Sequence, residues 1–179
     1  MEFDFVRLER DLVRASREAL AEAKKKHPRD TICGFSLYSD EGAMTVCPAI
    51  DFVMARDKRI AVSSELAADM TFAPAEWALE AVGADAAFDE ICERLSDHLD
   101  AHRRGFTAFR RALFGTCVEA LATLRERRAV RADCVLLFAV SDSTPSPRID
   151  GQRFARLNPD RPATVSAYRA WLRRWAAMT

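Results

Sequence analysis

Residues 134–140 read CVLLFAV, from Cys134 to Val140. Seven residues suit a strand and are too few for a helix. The run is unbroken by polar positions, so it describes a strand covered on both faces and predicts the centre of a sheet. The remaining segments have to supply its neighbours and its cover.

The neighbours are predicted as a hairpin. In Thr31 to Tyr38 the apolar residues Ile32, Phe35 and Leu37 alternate loosely. Ser39-Asp40-Glu41-Gly42 is turn chemistry, because Gly accepts positive φ and Asp bonds its own backbone. Ala43 to Cys47 returns as a second strand, which Pro48 ends by removing a ladder donor. A third strand is expected near Trp77, where Trp77 and Leu79 alternate with Glu76 and Glu80.

The cover is helical. Phe5, Leu8, Leu12, Ala15, Ala19 and Ala23 fall on one stripe of a helix from about Phe5 to Lys26, which Pro28 stops. Asp51 is placed to cap a short helix through Arg56, and Ser63-Ser64 another through Met70. Gly83 and Asp85 introduce a helix with the stripe Phe88, Ile91, Cys92, Leu95 and Leu99, closed by Arg103-Arg104-Gly105. Thr107 caps the next, through about Arg127, whose wide apolar face predicts burial on more than one side. A short helix from Gln152 to Leu157 and a last one from Ala163 to Met178 follow. In the last, Tyr168, Trp171 and Trp175 have core-stripe spacing. Long helices, a local hairpin and one late strand predict a single α+β domain over residues 1–179. Its sheet is small and mostly antiparallel, packed with several long helices.

With 179 residues, 49% hydrophobic, the chain is able to bury a core without staples. The five cysteines are widely spaced and form no CxxC, so buried free thiols in a reducing compartment are expected. The opening MEFDFVRLER has no secretory pattern, and no apolar run approaches membrane length. A cytoplasmic protein without a membrane partner is the expectation. Residues 1–100 carry 12 basic and 21 acidic residues, whereas residues 101–179 carry 15 and 6. Such asymmetry marks an interaction face unless both halves interleave on one surface.

Catalytic signals are weak. His98 and His102 stand four apart on a helix, but the residue after the first is Leu99 rather than the glutamate of the zincin pattern. No Ser or Cys nucleophile has a His and an acid in evident support, and the scattered glycines build no phosphate loop. No catalytic residue, metal or cofactor is therefore expected. Several polar residues lie at predicted strand ends, where sites gather. Asp40, Asp51, Glu76, Trp77, Asp142 and Asn158 are the candidate ligand-binding set, an acidic pocket at the sheet edge. The plainer reading is that they cap turns and helices. The arginines from Arg103 to Arg131 alternate with Phe106 and Phe109. Those rings fit a helical core, however, and a pI near 6.8 disfavours nucleic acid.

Four stretches together resemble one bacterial family, the domain of unknown function numbered 4303. They are GFSLYSDEGAMTVCPAID (Gly34 to Asp51), FAPAEWALEAVGADAAFDEICERL (Phe72 to Leu95), VLLFAVSDSTP (Val135 to Pro145) and RLNP (Arg156 to Pro159). The resemblance spans nearly the whole chain, and Pro-Ala-Glu-Trp is its most specific part. It brings no catalytic residues. It implies a small cytoplasmic protein, of a kind suspected in some members to be an immunity protein that occludes a cognate toxin. The leading expectation is thus a non-enzymatic protein-binding module. The alternatives are a small-ligand binder or enzyme using the acidic pocket, and nucleic-acid binding through the basic second half.

Overall fold

The computed structural model describes residues 3–62, 67–102, 104–141 and 143–178. The predicted caps Ser63 and Ser64, Arg103 of the basic series and the candidate Asp142 lie outside the described residues.

Four strands form one sheet: β1 (Ile32–Ser39), β2 (Val46–Phe52), β3 (Leu79–Glu80) and β4 (Val135–Val140), in the order β3-β2-β1-β4. β1 runs antiparallel to β2 and β2 to β3, while β4 runs parallel to β1. The sheet is therefore mixed, with two antiparallel pairings and one parallel.

Helices cover both faces. α1 (Phe5–Lys26), α4 (Asp85–Ala101) and α5 (Phe106–Glu126) pack on one side; α3 (Ala67–Phe72), α6 (Ile149–Leu157) and α7 (Pro162–Met178) pack on the other. α2 (Val53–Val62) follows β2 directly. Strand alternation divides the core. Phe35, Leu37, Ile50, Leu136 and Phe138 join α1, α4 and α5, whereas Ala49, Val135 and Leu137 join Phe72, Trp77, Phe154 and Trp171.

β4 is buried on both faces as its sequence requires, yet it is an edge strand. The error has a physical cause: apolarity reports what lies above and below a strand, not what lies beside it. The first half of the open edge is met by side chains. Asn158 donates from Nδ2 to the Leu136 carbonyl at 2.8 Å and accepts the Leu136 N–H at 3.0 Å, so its carboxamide takes the place of a neighbouring strand. Arg125 donates to the carbonyls of Cys134 at 2.6 Å and Arg131 at 2.7 Å, fixing the entry to β4.

Pro48 lies inside β2 rather than ending it. Its carbonyl accepts the Ala81 N–H at 2.9 Å, so its nitrogen also faces the β3 side, where the ladder is only two residues long. The third strand begins two residues after Trp77, because Pro74–Glu76 forms one turn of 3₁₀ helix. Trp77 lies across β1, and a Cβ at Gly34 would stand 3.0 Å from its ring. Gly83, at φ +110°, lets the entry to α4 touch Ala19 of α1, where a Cβ would come within 3.1 Å.

Two predicted caps differ as well. Asp51 caps no helix; Asp30 accepts the N–H of Met54 in the first turn of α2, at 3.1 Å. Thr107 is already helical, since α5 starts at Phe106 after Gly105 in the left-handed region, and α4 ends at Ala101.

Candidate functional site

β1 and β4 are parallel and end together. The Ser141 N–H donates to the Ser39 carbonyl at 2.8 Å, tying the two carboxyl ends. Beyond them opens a cavity of about 570 Å³. Its floor is Tyr38, Phe138 and Ala139 from the strand ends. Phe114 of α5 closes one side, while Phe72 and the α7 residues Tyr168 and Trp171 close the other. Trp175 and the polar segment from Ser143 to Ser146 form the rim. The carboxyl ends of parallel strands are a recurrent ligand position, because the connections diverge there and leave a crevice.

The aromatic wall is a stacked set. Tyr168 lies 4.1 Å from Phe154 and 5.5 Å from Trp171, centroid to centroid. Trp171 is held by its Nε1–H, which donates to Asp69 at 2.5 Å. Burial, followed by the charge of Asp150, pushes the Tyr168 hydroxyl pKa upward. The Tyr38 hydroxyl donates to Glu80 at 3.1 Å, and burial followed by Cys47 and Glu80 raises its pKa too.

Charged groups frame this apolar interior. Asp150 pairs with Arg153 at 3.0 Å and also accepts the Ser146 N–H at 2.7 Å, which fixes the loop after β4. Arg153 stacks over Phe138 at 5.5 Å. Arg110 rests over Phe106 and Phe114, and neither it nor Arg111 has a carboxylate partner among the described residues.

Of the sequence-predicted residues, none of those described lines this cavity. Asp40 accepts the N–H groups of Met44 at 3.3 Å and Thr45 at 2.8 Å, as a turn residue does. Asp51 is buried on β2, with both oxygens 2.7 Å from Arg59 Nη2. Burial raises its pKa against the pull of that guanidinium. Asp51 and Trp77 share the neighbourhood of Gly34. Trp77 is buried and Glu76 exposed, so the two do not face one pocket. Asn158 is fully engaged with β4 and Phe154. Asp142 lies outside the described residues, although Ser141 and Ser143 on either side line the cavity.

Other residues singled out in the sequence make packing, hydrogen-bond and ion-pair contacts. The rings of His98 and His102 stack at 4.3 Å, and His98 also stacks on Phe109 at 4.9 Å. Desolvation, then the neighbouring His102, lowers the His98 pKa. Among the described residues no group of three or more His, Cys, Asp or Glu is placed to hold a metal ion. Cys33, Cys117 and Cys134 are buried free thiols, while Cys47 and Cys92 are half-buried neighbours. Their contact pushes Cys47 up and Cys92 down. In the arginine series, Arg125 pins carbonyls and Arg131 pairs with Asp133 at 2.8 Å. No described helix is long and apolar enough to cross a membrane.

Sequence reasoning missed the cavity's lining because five separate segments supply it. The available signal was the polar run Ser141 to Pro147 directly after an apolar strand.

No curated protein and no solved structure matches the chain. Residues 12–159 match the model of a family described as a domain of unknown function, DUF4303. That span carries the whole sheet and the strand-end floor of the cavity, and it stops before α7. The chain therefore belongs to the DUF4303 family.

Proposed function

We propose that this chain holds a small, flat, mainly apolar ligand in the cavity at the carboxyl ends of β1 and β4. The supporting observation is the cavity itself: about 570 Å³, walled by stacked aromatics and rimmed by a few polar groups. Ligand pockets of roughly 300–1,000 Å³ have this make-up. The reading keeps a sheet-end pocket but moves it from the acidic set to the aromatic one. The residues we assign to the ligand are Tyr38, Phe72, Phe138, Tyr168, Trp171 and Trp175.

The test uses N-phenyl-1-naphthylamine, a neutral fluorophore of suitable size. It should bind at one saturable site. Ala139→Phe should fill the floor and abolish binding with an unchanged far-UV spectrum. Trp175→Ala, at the rim, should weaken binding without disturbing the core. Absence of saturable binding, or binding indifferent to both changes, would overturn the proposal.

A second reading, protein binding of the immunity type, is favoured by one observation. Asp85, Asp89, Glu90, Glu93, Asp97 and Asp100 of α4 are all exposed on one helix. A basic partner protein would be steered to such a surface. Co-expression with the product of an adjacent gene should give a complex that changing Asp89, Glu93 and Asp97 to Asn or Gln dissolves. A lack of complex and of protection eliminates this reading.

A further inference from the structure

A separate cleft of about 340 Å³ lies where α1 passes the end of α5, lined by Arg10, Val13, Arg14, Arg17, Glu18 and Arg127. We infer that it is a binding site for a compact multivalent oxyanion of the phosphate class.

The sequence places Arg10, Arg14 and Arg17 on one face of α1, four and three residues apart. Like charges at these spacings repel across a helix surface, so an exposed helix gains nothing from the arrangement. Partners that would neutralise it are few. Arg14 reaches Asp11 at 3.6 Å, and no described carboxylate pairs with Arg10, Arg17 or Arg127. Asp11 is itself shared with Arg7 at 3.6 Å and Arg94 at 2.8 Å. Glu18 is the one acid in the lining.

The fourth guanidinium is delivered by a fixed helix end. α5 closes with the Arg128 N–H donating to the Arg125 carbonyl at 3.0 Å and the Ala129 N–H to the Leu124 carbonyl at 2.9 Å. This is a Schellman closure, and its left-handed position is normally glycine. Here Arg128 occupies it, at φ +53°. The closure bonds occupy the Leu124 and Arg125 carbonyls, and Arg127, directly before the left-handed position, lines the cleft beside the α1 stripe.

Four arginines lining one recess supply the charge and the forked donors that clustered phosphate oxygens accept. Among the described lining residues Val13 is the one apolar side chain and none is aromatic, so the cleft lacks the ring platforms on which successive bases of a single strand stack. That favours a small oxyanion over single-stranded nucleic acid.

The test is calorimetric titration of the full chain with sodium tripolyphosphate at low ionic strength. One site should be found, with orthophosphate at least ten-fold weaker. Changing Arg14, Arg17 and Arg127 together to Gln should cost at least ten-fold in affinity and leave N-phenyl-1-naphthylamine binding in the aromatic cavity unchanged. Changing Lys25, Arg29 and Lys58 together to Gln removes the same charge elsewhere and should leave affinity within about two-fold. Absence of saturable binding, or equal loss in both triple variants, would overturn the inference. So would an oligonucleotide that outcompetes tripolyphosphate at this cleft. If the first triple variant does not fold, Arg17→Gln alone should still weaken binding several-fold.

Discussion

β1 and β4 lie side by side and end together, but their sequences invert their positions. The central strand reads ICGFSLYS and is interrupted by Gly34, Ser36 and Ser39; the edge strand reads VLLFAV without interruption. Both are buried on their two faces. The difference lies in what covers them. On one face of β1, Gly34 leaves room for the Trp77 indole, so a large partner replaces a large strand residue there. β4 faces ordinary helix side chains and fills the space itself. Its apolarity therefore measures the thickness of its cover, and at Leu136 its unpaired edge is met by the Asn158 carboxamide.

The comparison breaks most visibly in matched truncations. Leu37 of β1 and Leu136 of β4 are both fully buried in the same core. Each change to Ala should cost about 3 kcal/mol by chemical denaturation. A Leu136→Ala cost under half that of Leu37→Ala would mean that the edge is loosely held.

Asn158→Ala comes next. It leaves the buried N–H and carbonyl of Leu136 without their partner, and should cost about 2–3 kcal/mol. Amide exchange at Leu136 should accelerate while that at Phe35 follows global stability. Unchanged exchange at Leu136 would contradict the role given to Asn158.

Gly34→Ala sharpens the contrast from the other side. Its Cβ would press on the Trp77 ring, so a cost of about 1–2 kcal/mol is expected, with a shift in Trp77 emission. A neutral result would mean that the ring is not seated against β1.

The smallest effect belongs to the surface pair Glu119–Arg156, which links α5 to α6 outside β4 at 2.6 Å. The hydrogen bond from Arg156, followed in weight by an opposing burial effect, holds the Glu119 carboxyl below its ordinary range. A depressed carboxylate contributes stability above its unfolded pKa of about 4.3 and loses it as pH falls through the folded value. Both side chains are about half exposed, so solvent screening keeps the contribution small. Glu119→Gln should cost no more than about 0.5 kcal/mol at pH 7, and the gap from the parent should close as pH falls below about 4. A larger gap at low pH would contradict the assignment.

Much of the fold was legible in the sequence. Phe5 to Lys26 was readable from its apolar stripe and the proline after it, and the strand within Cys134 to Val140 from its continuous apolarity. Ladder position was not legible, because strands pair through backbone groups common to all residues. Pro48 misled for a related reason: whether a strand tolerates proline depends on which side its nitrogen faces. The site was less readable than the fold. Asp40 and Asn158 stood out as polar residues near strand ends, and each proved to satisfy backbone groups there. The cavity-lining aromatics of α7 carry the same spacing as a core stripe, so no local pattern distinguishes Tyr168 facing a cavity from Tyr168 filling one.

The cavity at the strand ends is the proposed ligand position. Nuclear magnetic resonance titration of the labelled protein with N-phenyl-1-naphthylamine tests it most directly. Binding there gives saturable shifts confined to the strand ends at Tyr38 and Ala139, the loop at Ser143 and Thr144, and the Trp171 and Trp175 indoles. Shifts centred instead on α4, or none that saturate, would contradict it.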